Sequence, residues 1–201
     1  AGESILLGID FGLVFTVFLI PLGIVGAATT FNFLAGYNGL EASQGILILS
    51  ALSVVTFLTG NSWLSVIALC MVAALIAFYI FNKYPAKIFP GDTLTYPVGA
   101  LIAAIAILGN IEKIAIFFFI PYLLETILKL RGRLRKESFA KLNKDGSLEL
   151  PYKKIYGLEH LAIKILKKIK PSKKVYETEV VYFINGFQII IILLGFWIFV
   201  V

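Results

Sequence analysis

Apolar residues fall in six long runs along this chain, at 11–29, 43–58, 63–81, 94–108, 114–128 and 181–201. A helix that crosses a bilayer needs about 20 mostly apolar residues, and the runs are of that order. Lipid offers the backbone no hydrogen-bond partner, so each run is predicted to be helical. Pro21 predicts a kink in the first. The breaks between runs are polar. Gly60-Asn61-Ser62 and Gly109-Asn110 read as tight turns, 32–42 and 82–93 as loops, and 131–180 as a long polar segment. Pro85 and Pro90 argue against a continuous helix through the second loop. The expected fold class is an all-α integral membrane protein of about six transmembrane helices. The whole of 1–201 reads as one polytopic domain, and no internal repeat is visible.

The segment 131–180 has its own pattern. Arg131, Arg133, Arg135 and Lys136 make a basic run at the membrane edge. Residues 142–150 read as a short hairpin turning at Asp145-Gly146. From Leu158 to Ile169 the period is helical: Leu158, Leu161, Ala162, Ile165 and Ile169 form an apolar stripe, with Lys164, Lys167, Lys168 and Glu159 mostly away from it. That pattern predicts an amphipathic helix lying at the interface, its lysines near anionic head groups. His160, the only histidine, is expected on that interfacial helix rather than in catalysis.

Composition agrees with the pattern. The chain is 59% apolar, well above the share of an ordinary globular domain, and its mean hydropathy is +0.92. The single cysteine, Cys70, rules out a disulfide framework and reads as inert packing. The net charge of +6 could suggest a nucleic-acid partner, but its placement argues otherwise. With alternating spans, the loops at 32–42, 82–93 and 131–180 share one side. Of the 18 Lys and Arg residues, only Lys113 falls outside that side. Lysine and arginine concentrate on cytoplasmic loops, so this face is expected to be cytoplasmic, and both chain ends are expected outside. The chain begins at Ala1, and its first ten residues carry acids but no basic run, so no signal peptide is read there. It is expected to be a piece of something longer, or a processed form.

Polar groups are costly near lipid, so their positions carry information. Asp92 follows Gly91 between Phe89 and a new apolar run. Asn32 and Asn38 flank Gly36 between two others. Mg²⁺ favours hard oxygen ligands, often one or two from protein with the rest from phosphate and water. Asp92 and Asn32 would suffice if a diphosphate supplied the remainder. Gly36, Gly39 and Gly91 allow close backbone approach to a ligand. The residues alone leave a plainer reading open, with Asp92 as a helix cap, the asparagines as turn residues and Phe89 as an interfacial anchor.

Two stretches go further. Asn32-Phe33-Leu34-Ala35-Gly36-Tyr37-Asn38-Gly39-Leu40-Glu41 resembles the asparagine-rich loop of dolichyl-phosphate N-acetylglucosamine-1-phosphotransferases. Asn82-Lys83-Tyr84-Pro85-Ala86-Lys87-Ile88-Phe89-Pro90-Gly91-Asp92-Thr93 resembles their second cytoplasmic motif, with Tyr96 and Gly99 following suitably. The bacterial enzymes of this polyprenyl-phosphate superfamily usually carry aspartates where this chain has Asn32 and Asn38. Those asparagines, and the late-loop stretch from Asp145 to Tyr152, resemble the eukaryotic and archaeal branch. The resemblance covers nearly the whole chain.

The resemblance implies transfer of a sugar-1-phosphate, expected to be GlcNAc-1-phosphate, from a UDP-sugar to a polyprenyl or dolichyl phosphate, with release of UMP. It implies Mg²⁺, or Mn²⁺, held by Asp92 and Asn32. Asn38 and the Gly36 backbone would face the uracil, and Phe89 would stack on it. Glu41 stands between a sugar contact and a helix cap. Arg133 and Arg135 would clamp phosphate, with a solvated basic edge as the plainer reading. The implied membrane is that of an archaeal or bacterial cell or the endoplasmic reticulum, and a homodimer is allowed. Two departures stand out. The family's earlier Asp-Asp pair and following Lys have no counterpart here, because Asp10 is alone and on the wrong side. The chain therefore resembles the C-terminal portion of such an enzyme and is expected to be inactive alone. The late loop also lacks the family's histidines. A non-catalytic subunit or remnant that keeps the fold is the alternative. A transporter is disfavoured because the polar groups lie at the ends of spans rather than at mid-membrane.

Overall fold

In the computed structural model, which describes residues 5–6, 9–10 and 12–200, the apolar runs are helices. Ile5–Leu6 (β1) and Ile9–Asp10 (β2) pair antiparallel before them. A π-helical stretch, Phe15–Leu19, leads into α1, Ile20–Phe33. The winding changes beside Pro21, whose ring removes a backbone donor. Among the described residues, four segments are long and apolar enough to cross a membrane: Thr16–Phe33, α2 (Leu40–Leu58), α3 (Ser62–Asn82) and α8 (Glu177–Phe199). Helix α4, Asp92–Leu108, is apolar but shorter.

Two expected spans differ. The first was expected at 11–29. Its start at Phe11 lies outside the described residues, and its helix continues to Phe33, so Asn32 sits on a helix rather than in a loop. The fifth run is two helices, α5 (Glu112–Phe118) and α6 (Ile120–Arg131). Phe119 falls between them, and Pro121 opens the second helix, where a missing N–H costs least. At this break the Gln188 side chain on α8 donates to the Phe118 carbonyl at 2.9 Å.

Helix α2 is the most buried of the four membrane-length segments. Leu40, Leu49, Leu52 and Val55 carry it into the common core. Hydrogen bonds between helices add to this packing, since water is no alternative partner inside a bilayer. Ser53 and Ser65 pair at 3.0 Å between α2 and α3, and Asn185 of α8 bonds Gln44 at 2.9 Å. Gly99 lets α4 press on α1, since a Cβ there would come within 2.7 Å of the Ala27 carbonyl and the Ala28 Cα. The outward face of α3 (Trp63, Val66, Leu69, Ile76 and Ile80) is exposed and apolar, as a lipid-facing surface requires. Cys70 lies exposed on this helix, so it is not packed within the protein as expected.

All the polar loops read as one side do meet at one end of the bundle. Asn32 of α1 bonds Thr95 of α4, the Asn38 N–H reaches Glu177 of α8, and the Tyr37 hydroxyl accepts the Ala140 N–H. At the other end, Asn61 of the α2–α3 turn donates to the Gly109 carbonyl of the α4–α5 turn.

The late loop forms its expected hairpin, β3 (Lys141–Leu142) against β4 (Leu148–Glu149), turning through Gly146 at φ +78°. The Lys174 ammonium, 2.7 Å from Asp145, and then Ser147 hold the Asp145 carboxyl well below the usual carboxylate range. Helix α7 has the expected bounds, Leu158–Ile169. Its placement is corrected in one respect: Glu159 and His160 are fully buried, whereas Ile169 is exposed. The buried face turns toward α6 and the 138–140 strand of loop, so His160 is not an interfacial residue. Two neighbours explain this. Glu125 of α6 accepts the Leu158 N–H at 2.5 Å, capping the helix start, and the Tyr152 ring lies edge-on to His160.

Candidate functional site

Asp92 is the first residue of α4, exposed, and its carboxylate makes no hydrogen bond or ion pair among the described residues. The cap position is Gly91 at φ +56°, and no side chain caps this helix. The helix-cap reading of Asp92 is therefore set aside. A free carboxylate on a helix N-terminus also benefits from the helix dipole.

Asn32, in the last turn of α1, accepts the Thr95 hydroxyl on Oδ1 at 2.7 Å, and its Nδ2 reaches the Tyr96 hydroxyl at 3.5 Å. Thr95 stands three residues after Asp92, one turn along the same helix face. Asn32 and Asp92 thus lie at the same junction, where α1 ends and α4 begins. An amide oxygen and a free carboxylate are hard donors that fit Mg²⁺ or Mn²⁺. Among the described residues no group of three His, Cys, Asp or Glu could hold a metal on its own. A cation here would depend on ligand oxygens.

The first loop is tied down from inside. Gly36, at φ +120°, donates its N–H to the Glu41 carboxylate at 2.6 Å. The Asn38 N–H donates to the Glu177 carboxylate at 2.6 Å, leaving the Asn38 side chain half-buried and without a hydrogen bond among the described residues. Glu41 is only 3% exposed. It is neither a helix cap nor placed to touch a sugar, because its carboxylate shapes the loop. Tyr37 is buried under the same loop, and burial, then the Glu159 carboxylate, pushes its phenol pKa up, keeping it protonated.

In the second loop, Asn82 is buried and donates to the Ile88 carbonyl at 3.0 Å, folding the loop back on the end of α3. Phe89 is 71% exposed, and Lys83 and Lys87 are exposed beside it. Arg133 and Arg135 are exposed and without an ion-pair partner among the described residues. No bond joins them to Asp92, or Phe89 to Gly36 or Asn38, among those residues.

Four contributors escaped the sequence reading. Thr95 orients Asn32, and Glu177 pins Asn38. Phe139 lies on Gly36, where an added Cβ would be 2.5 Å from its ring. Glu125 gathers Leu158, Ser138 and Lys129. Only Glu125 carried a signal: a lone carboxylate among Leu123, Leu124, Ile127 and Leu128 is too costly to stand there without partners. Beside it, both Glu159 oxygens are buried without a hydrogen bond among the described residues. Burial, then the Glu125 carboxylate, pushes the Glu159 carboxyl well up. Burial also lowers the His160 imidazole, whose Nδ1 accepts the Tyr156 N–H.

Below this face, an apolar groove of about 350 Å³ runs between α1, α4, α5 and α6. Small residues form its floor, among them Gly23, Gly26, Ala27 and Ala103, and Thr30 marks its end nearest Asn32.

The fold and the polar face together define a polytopic helical membrane protein with a polar corner at one end. Glycosyl transferase family 4 matches residues 3–110, more than half of the chain, and the protein belongs to that family. A protein of Saccharolobus solfataricus with the provisional name UDP-N-acetylglucosamine–dolichyl-phosphate N-acetylglucosaminephosphotransferase is 42% identical over 159 residues, 78% of this chain and 49% of its own length. A Sulfolobus acidocaldarius protein of the same provisional name is 31% identical, covering 93% of this chain and 55% of its own length. A provisionally named glycosyltransferase of Methanocaldococcus jannaschii is 31% identical, covering 85% and 56%. The chain thus spans about half the length of the curated relatives it matches.

Proposed function

We propose that the protein to which this chain belongs transfers GlcNAc-1-phosphate from UDP-GlcNAc to a dolichyl-type polyprenyl phosphate. A lipid phosphate oxygen attacks the β-phosphorus. The bond from that phosphorus to the bridging oxygen breaks, and UMP leaves with the electron pair. The observation that carries the reading is the corner of Asp92 and Asn32, a partner-free carboxylate and an amide oxygen at one helix junction, in a family whose relatives bear that substrate pair in their names.

Asp92 and Asn32 would hold Mg²⁺ or Mn²⁺, which when bound neutralises charge on the diphosphate. Thr95 keeps the Asn32 amide turned toward the corner. Asn38 and Gly36 take the uracil, and Phe89, exposed and flat, stacks on it. Arg133 and Arg135 meet phosphate oxygens as bidentate donors. Glu41 works indirectly, by holding the loop. The prenyl chain lies in the groove beneath Thr30, since an apolar slot between helices suits an isoprenoid. The site face is cytoplasmic, on the side of the basic loops.

UMP release from UDP-GlcNAc tests this, using the full native chain in membranes with polyprenyl phosphate and Mg²⁺. Release is expected to need lipid and cation, and Asp92→Asn is expected to abolish it, a loss of roughly a thousandfold or more for removing a group of this kind, while the protein stays inserted. Activity within a few-fold of wild type in Asp92→Asn would remove Asp92 from the site.

A further inference from the structure

Gly36 is exposed, but one side of it, the side a Cβ would take, is already occupied, and the occupant belongs to the protein. The edge of the Phe139 ring fills the space where a Gly36 side chain would stand, with its two nearest carbons 2.5 and 2.6 Å from an added Cβ. The ring also lies against Tyr37, centroids 6.4 Å apart, and the next residue, Ala140, donates its N–H to the Tyr37 hydroxyl at 3.2 Å. From inside, the loop is sealed by Glu41 and Glu177, which take the Gly36 and Asn38 N–H groups. On the outer side of the loop, Phe139 occupies the notch against Gly36 and Tyr37.

The segment carrying Phe139 is built to move. Residues 133–137 are all exposed. Arg133 and Leu134 sit at φ +54° and +57°, left-handed conformations that cost non-glycine residues about 1 kcal/mol or more each. A hinge with stored backbone strain gains by extending. Beyond it, this strap is held by Lys136 over the Tyr152 ring at 4.9 Å, by Ser138 on Glu125 at 3.3 Å, by Ala140 on Tyr37 and by the Phe139 ring. Phe139 itself is 54% exposed.

We propose that Phe139 is a self-occupant of the base notch at Gly36, and that a uridine nucleotide binds by displacing it. The strap 135–140 then swings at Arg133–Leu134, carrying Arg135 with it and re-aiming Arg133 at the hinge. Base entry is thereby coupled to placement of the two phosphate-seeking arginines. The inference rests on the assignment of uracil to the Gly36–Asn38 loop.

The test is calorimetric titration of UDP, with Mg²⁺, into the detergent-purified full chain and its Phe139→Ala variant. Amide exchange at Ala140 is followed with and without UDP. Removing a competing aromatic contact is expected to tighten UDP by about 2- to 10-fold, and UDP is expected to speed exchange at Ala140 in the wild type. Unchanged or weaker UDP binding by Phe139→Ala, with exchange at Ala140 slowed by UDP, overturns the displacement and makes Phe139 a platform, leaving the base loop standing. If neither protein binds UDP while both remain folded, the base-loop assignment falls and the displacement with it.

Discussion

Asp92 and Glu159 are both carboxylates on one face of the bundle, and burial decides what each can do. Asp92 is exposed and without a hydrogen bond or ion pair among the described residues, which leaves its carboxylate free for the proposed cation. Glu159 is sealed in, facing Glu125 and Lys129 of α6, Glu41 of α2 and the Tyr37 phenol. Desolvation first, and the Glu125 carboxylate second, favour its protonated form, so the folded state holds this proton to higher pH than the unfolded chain does. The stability this gives is complete below the ordinary carboxylate range and is lost as pH rises above it. Glu159→Gln removes the titration and keeps the shape. It is expected to raise the unfolding temperature in detergent at neutral pH, because a buried carboxyl that burial holds protonated no longer has to resist ionisation there. The variant's stability should also vary less between pH 5 and 8. A variant that melts lower at pH 8 would show that Glu159 makes a bond its burial conceals.

Among the elements, α1 does two tasks. It meets α4 where Gly99 presses on Ala27 and Ala28, and it borders the groove at Gly23 and Gly26. Nothing lies within 4 Å of a Cβ added at Gly26, so a larger residue there fits the fold but narrows the slot. Gly26→Leu is expected to leave UDP affinity unchanged and to raise the KM for polyprenyl phosphate roughly tenfold, as two or more buried methylenes at ~0.8 kcal/mol each are displaced. Equal KM for the lipid in both proteins would place the prenyl chain elsewhere. The break at Phe119 belongs to this scale too. A periodic apolar run cannot show it, because Phe118, Phe119 and Ile120 continue the hydropathy without a gap. Pro121 was the visible sign, and the Gln188 bond to the Phe118 carbonyl shows how α8 accommodates the break.

For the molecule as a whole, sidedness is the property most open to direct test. Every basic loop gathers at the end where Asn32, Asn38 and Ala140 are tied to their partners, opposite the Asn61 turn. A Lys87→Cys variant in a Cys70→Ser background is expected to react with a membrane-impermeant maleimide from the cytoplasmic side and not from outside. Labelling from outside would invert the topology. Cys70, on the outward face of α3, is expected to resist the same reagent in intact membranes.

The sequence by itself determined the class, the helical runs, the late hairpin, the bounds of α7 and the two loops that carry the family resemblance. These are local properties: apolar run length, turn residues and motif spacing do not depend on what packs against them. Only the tertiary structure decided that Asn32 is held by Thr95, that Glu41 serves the loop rather than a ligand, that Glu159 and His160 are buried, and that Phe139 lies on Gly36. Each of these joins residues from separate helices or loops. A helical stripe tells which residues share a face, but not what that face meets. Glu159 looked like a solvated charge on an interfacial helix until α6 supplied a carboxylate for the helix start and drew the acidic side inward.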